Sequence, residues 1–209
     1  MTVSKSNFLR DVNTHKLNVL NDSGVNRHLR IRAVNTHFMW YEIVTWSDSL
    51  CFNGDVGSYT FSRVYDMFSF FGEDLDKINY YYWAQKLQAQ CIYSPAKAFS
   101  FDKFKKEVEN YYHEFINNNL LSESEAQELR HSLEEEIFAD VENHSDSDYQ
   151  KYAAYENISA YNGPILFEDF WDYDTDDYND SFKWACHAIV HAIKEYNSLT
   201  KTEKSVKVV

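Results

Sequence analysis

Two stretches of this 209-residue chain carry residue types that could do chemistry, at spacings that would let them. The first is His187 with His191. Four positions apart on a helix, two imidazoles stand one above the other, and their rings can converge on a single ion. At 100° per residue, Asp180, Trp184, His187, His191 and Glu195 share one face. Phe182, Ala185, Cys186, Ile189, Ile193 and Tyr196 share the opposite one. The second set is expected to be buried and the first to meet solvent. The zinc-protease pattern places a glutamate directly after the first histidine as general base, and here that residue is Ala188. No clear third ligand is in register. The expectation is therefore a chain without bound metal, with His187, His191 and Asp180 as the residues to promote if an ion were found.

The second stretch is the acidic run Asp172-Tyr173-Asp174-Thr175-Asp176-Asp177. Its first half alternates like a calcium loop. The sixth position is Asp177 where glycine is needed for the turn, and the twelfth is Lys183 where a bidentate carboxylate is needed. An EF-hand is rejected. An irregular cation site stays open to this run, and the other chemistry it offers is recognition: Asp172, Asp174, Asp176 and Asp177 can oppose a basic surface, and Trp171 and Tyr173 can anchor it. No nucleophile elbow, phosphate-binding loop or dinucleotide fingerprint is present, so no catalytic residue and no cofactor is expected. Gly54 to Ser58, GDVGS, lacks a lysine and joins two strand-like stretches, which reads as a hairpin turn rather than a phosphate cradle.

Composition narrows the partners. The formal charge is −13. Residues 1–100 carry 10 Lys and Arg against 9 Asp and Glu, whereas residues 101–209 carry 10 against 24. A nucleic-acid binder needs a basic footprint, and none appears; the acidic excess reads first as a solvated surface, and it can also attract a protein or ribonucleoprotein partner with a basic surface. No apolar run reaches the length of a membrane span, and MTVSKSNFLRDVN lacks a signal-peptide core, which predicts a cytoplasmic protein without a membrane partner. Cys51, Cys91 and Cys186 form no CxxC pair and read as reduced thiols.

The elements that must position these residues follow from periodicity. Ser4 to Leu20 reads as a helix. His28 to Arg32, Phe38 to Trp46, Leu50 to Phe52 and Tyr59 to Ser62 alternate as four strands of an antiparallel meander, with Trp40, Val44, Phe52 and Phe61 placed in its core. Val64 to Phe71 switches to helical spacing and stops at Gly72. Ile78 to Gln90 reads as a further helix. Phe101, Phe104, Val108, Tyr111 and Phe115 mark an amphipathic helix ending at three asparagines. Ser122 with Glu125 forms a capping box for the next, whose face is Ala126, Leu129, Leu133 and Ile137. Tyr149 to Tyr161 and Ser181 to Tyr196 are helical, and the tail from Lys201 is expected to fray. The fold class is α+β: a central antiparallel meander of about four strands packed by helices, with an acidic helical C-terminal half. The expected division is 1–98 for the meander region and 99–209 for a helical region packed on it in one globular unit.

Within residues 8–87 the segments FLRDVNTHKLNVLNDSGVNRHLRIR, YEIVTWSDSLCFNGDVGSYTFSRVYDMFSFF and INYYYWAQKLQA resemble an uncharacterised family of small proteins encoded by phages and prophages. The acidic remainder lies outside the resemblance. What the resemblance implies is a bacterial host cytoplasm, where small acidic phage proteins inhibit defence systems, anti-CRISPR proteins among them, some by imitating the charge of DNA. It brings no catalytic residues with it. A metal- or nucleotide-dependent enzyme, or a small-ligand protein using the His187/His191 face, is the alternative.

Overall fold

The computed structural model describes residues 3–144 and 146–206, with side chains to residue 201. The chain is α+β, and it divides into two compact units: Met1–Ala96 with Tyr178–Val209, and Lys97–Asp177. The chain leaves the first unit close to the expected boundary at 98. It returns at Tyr178, so the last helix belongs with the meander rather than with the acidic segment before it.

The first unit is built on a six-stranded antiparallel sheet in sequential order: β1 (Lys16–Ser23), β2 (Asn26–Arg32), β3 (Tyr41–Trp46), β4 (Ser49–Gly54), β5 (Gly57–Ser62) and β6 (Leu87–Gln90). The four expected strands are the middle of it. The two extra strands are its edges, and both came from segments read as helix. Ser4 accepts the Asn7 N–H and opens α1 (Lys5–Asp11), which stops at Val12. The following Leu17 and Val19 then pair with Ile31 and Leu29 of β2. Likewise Asn79 caps a helix of only five residues, α3 (Tyr80–Ala84), after which Leu87 to Gln90 joins β5. Edge strands are half solvated, so their side-chain pattern is weak and pairing decides them. A bulge between Val19 and Asn21 distorts the open edge of β1 and opposes further pairing there.

The β4–β5 loop is the expected hairpin turn, with Gly54 opposite Gly57. A Cβ on Gly54 would stand 2.5 Å from the Trp40 carbonyl, so only glycine allows this approach. Asp66 caps α2 (Met67–Phe71) and also holds Arg27 through two hydrogen bonds of 2.9 Å. The long α8 (Asp180–Val206) lies against β1, β3, β5, α1 and α2. The segment expected to fray is helical as far as Val206, and residues 207–209 lie outside the described residues.

The covered sheet face carries Leu29, Ile31, Tyr41, Ile43, Leu50, Phe52, Tyr59 and Phe61, each at most 1% exposed. Phe52 and Phe61 are core residues as expected. Trp40 and Val44 are not: Trp40 precedes β3 and is half-buried, and Val44 lies on the other face, partly exposed, with Trp46 at 42%. Alternation groups residues by face without saying which face α8 will cover, and Tyr41 and Ile43 took the inner side.

The second unit is mainly helical. β7 (Lys97–Phe99) and β8 (Asp176–Tyr178) form a short pair that the alternation did not announce. Ser100 caps α4 (Phe101–Asn119), which ends with Leu120 left-handed at φ 51°. The capping box at Ser122 and Glu125 is formed and starts α5 (Glu123–Leu133). A π turn (Glu134–Phe138) carries the chain into α6 (Ala139–Asn143), and Asp146 caps α7 (Ser147–Ala160). Phe104, Val108, Leu133, Ile137, Val141, Ala154 and Phe170 form its core.

Candidate functional site

Three groups of side chains can be judged against the geometry: the acidic run, the histidines of α8, and an aromatic face on α7.

The acidic run is partly consumed by its own unit. The Lys97 ammonium donates to Asp174 at 2.9 Å, and the Lys151 ammonium donates to Asp176 at 2.9 Å. The Asp176 N–H donates to the Asp174 carboxylate at 3.1 Å, which fixes the turn between them. The Lys97 hydrogen bond holds the Asp174 carboxyl below its ordinary range, and Asp176 raises the Lys151 ammonium above its own. Asp176 and Asp177 are half-buried. Of the four aspartates, Asp172 is the one that is exposed without an ion pair among the described residues. Trp171 lies in a 3₁₀ turn (Phe170–Asp172), 41% exposed, and Tyr173 follows it at 48%.

The α8 histidines are less exposed than their stripe suggested: His191 is half-buried and His187 fully so. His187 is 4% exposed and Trp184, on the same stripe, 3%. The middle of the stripe expected to meet solvent is covered because α1 lies against it: Phe8 is fully buried, with its ring 5.1 Å from Trp184, 5.5 Å from His187 and 5.6 Å from His191, whereas Asp180 and His191 are half-buried and Glu195 is exposed. Each imidazole meets a tyrosine. Tyr80 Oη lies 3.0 Å from His187 Nε2, and Tyr41 Oη lies 2.7 Å from His191 Nδ1. Tyr41 is fully buried, so its O–H needs an acceptor, and His191 Nδ1 supplies it. The neutral His191 ring therefore carries its proton on Nε2. His187 Nδ1 is buried without a partner. Burial pushes both histidines below their ordinary pKa; Lys5 adds to this at His187, where Asp76 opposes it. Burial pushes the Tyr80 hydroxyl up to about 12.

His187 is thus a neutral core group, while His191, also held neutral, is half-buried and lines a groove with His15 and Glu195. Asp180, at the start of α8, does not join them: it stands 3.8 Å from Lys183. Among the described residues no group of three His, Cys, Asp or Glu side chains has the geometry to hold a metal ion. A groove of about 250 Å³ nearby is lined mainly by Phe8, Met39, Val56 and Trp184, and its Asp11 accepts the Trp184 indole N–H at 3.1 Å. It offers an apolar surface rather than a reacting group. Among the described residues no helix is long and apolar enough to cross a membrane.

The third group was not singled out in the sequence. α7 turns Ala153, Ala154 and Ile158 inward. Its outer side carries Tyr149, Tyr152 and Tyr155, exposed by 52%, 60% and 39%. Three residues of helix rise about 4.5 Å, so the rings form a skewed ladder. His144 packs on Tyr149 at 4.0 Å, Tyr149 meets Tyr152 at 6.3 Å, and Tyr155 stacks on Trp171 at 3.9 Å with 27° between planes. Among the described residues of this unit seven large apolar or aromatic side chains are exposed, and Tyr149, Tyr152, Tyr155 and Trp171 are four of them, an aromatic patch along α7; Tyr173 packs instead on Tyr111 and Phe170. The signal was present in the spacing of three. It was hidden because a helix with apolar groups on both sides has almost no amphipathic contrast.

The unit that carries this patch also carries the charge. Residues 97–177 hold 21 Asp and Glu against 6 Lys and Arg, a net of −15, while the remaining residues sum to +2. Glu123, Glu128, Glu134, Glu135, Asp140 and Glu142 are exposed along the run from α5 to α6. No protein-family model, no curated protein and no solved structure matches the chain.

Proposed function

We propose that this chain is a non-enzymatic binding protein that docks its acidic segment 97–177 on a basic protein or ribonucleoprotein surface, of the kind that otherwise holds nucleic acid. The phage resemblance of residues 8–87 suggests the setting: inhibition of a host defence complex in the bacterial cytoplasm. The observation that carries the proposal is the confinement of the whole net negative charge to one 81-residue unit. Carboxylates spread over successive helical turns present a field resembling that of phosphates, and such a field steers association with a cationic groove. Exposed tyrosine and tryptophan supply the anchors that charge alone lacks. The reading through His187 and His191 as an enzyme or ligand site has less support, because both rings are spent on core tyrosines.

The test is capture of partners from a bacterial lysate by the wild-type chain and by a variant with Glu123, Glu128, Glu134 and Glu135 changed to Gln. Captured proteins are expected to be nucleic-acid-binding, to be displaced by added double-stranded DNA, and to dissociate as salt shortens the screening length below about 8–10 Å. Equal capture by the neutralised variant, insensitive to DNA and salt, would refute the proposal.

A further inference from the structure

Resting on that reading, the outer face of α7 indicates which cation the partner presents. Tyr152 is the most exposed ring of the ladder, and Asp148 and Glu156 stand four residues before and after it on the same helix. Side chains four apart share a helical face, so the phenol is flanked by one carboxylate on each side. Both carboxylates are exposed, and neither is ion-paired to a lysine or arginine among the described residues. At the other end of the ladder the Tyr155–Trp171 stack has Asp172 next to it in the chain, also exposed. This differs from the run at Asp174 and Asp176, where Lys97 and Lys151 already neutralise the carboxylates.

A flat ring beside a carboxylate suits one cation better than the other. A guanidinium is planar, stacks on an aromatic face, and can donate two parallel hydrogen bonds to a carboxylate while stacked. A lysine ammonium is a compact, strongly hydrated charge that gains from the carboxylate and little from the ring. We infer that Tyr149, Tyr152, Tyr155 and Trp171, with Asp148, Glu156 and Asp172, form an arginine-reading surface. The partner segment that lies on α7 presents arginine side chains rather than lysine ones.

The experiment uses the full chain and two synthetic peptides of equal length and charge, one whose only cations are arginines and one whose only cations are lysines. Binding is followed by fluorescence anisotropy of the labelled peptides at low and physiological salt. The arginine peptide is expected to bind roughly fivefold more tightly, the ratio that one cation–π contact at an exposed site supports. Tyr152→Leu and Trp171→Leu should each lower that ratio toward one while leaving a salt-dependent affinity for both peptides. Circular dichroism of each variant checks that α7 is intact. Equal binding of the two peptides to the wild-type chain, or a preference that survives both variants, overturns the arginine assignment and leaves the acidic-surface reading standing. Binding of neither peptide at low salt overturns both.

Discussion

Acid should destabilise the sheet unit through the two histidines of α8, well before its carboxylates titrate. His187 and His191 have pKa values held below the ordinary 6.5, chiefly by burial, so the unfolded chain binds protons there that the folded chain refuses. Stability from these groups is complete above pH 6.5. It is lost as pH falls through the window between 6.5 and the depressed folded values, and the loss stops below them. One refused proton costs about 1.4 kcal/mol per pH unit, so at pH 5.5 each histidine costs at most about 1.4 kcal/mol and the pair about 2.8 kcal/mol. Neither ring has a neighbouring carboxylate strong enough to reverse the sign: Asp76 and Glu195 oppose the shift at His187 and His191 without cancelling it. Urea unfolding at pH 7.5 and 5.5 measures this. Tryptophan fluorescence reports mainly the sheet unit, since Trp40, Trp46, Trp83 and Trp184 lie in it and only Trp171 outside. His187→Phe keeps a ring against Phe8 and removes one proton site, and the doubly substituted Tyr41→Phe with His191→Phe removes the other along with its donor. Each should roughly halve the loss between the two pH values. A wild-type stability unchanged from pH 7.5 to 5.5, or variants as acid-sensitive as the wild type, would refute the reasoning.

Phe8→Ala should destabilise the sheet unit by about 3–5 kcal/mol in the same urea assay, because Phe8 is fully buried between α1 and α8. Ser122→Ala removes the hydroxyl that accepts the Glu125 N–H, and should cost α5 about 1 kcal/mol, read as faster amide exchange in its first turn. Reversing Asp174 and Asp176 to Lys sets cations against Lys97 and Lys151, so the cost to segment 97–177 should exceed the about 0.2–1 kcal/mol of each lost pair. Asp172→Lys should leave thermal unfolding unchanged, and equal melting of the two variants would show that the ion pairs contribute nothing.

Much of this protein was legible along the chain. The alternation from His28 to Ser62, the turn residues between the strands and the capping box at Ser122 act over a few residues, and each formed where local chemistry placed it. The charge imbalance is likewise a property of composition. What local pattern could not supply is whatever a distant partner decides. Leu17 and Val19 are strand residues because β2 is beside them, and Leu87 because β5 is. Val44 and Tyr41 have equal claims to the core until α8 covers one side of the sheet. The histidine stripe of α8 looked solvated because helical periodicity counts only the faces of its own helix. Phe8, some 180 residues earlier in the chain, closes the middle of that face and makes His187 a neutral core group. The acidic run looked uniformly exposed until Lys97 and Lys151 were brought to Asp174 and Asp176 by the β7–β8 pair and α7. Periodicity ranks the faces of an element, and only the packing of other elements decides which of them water reaches.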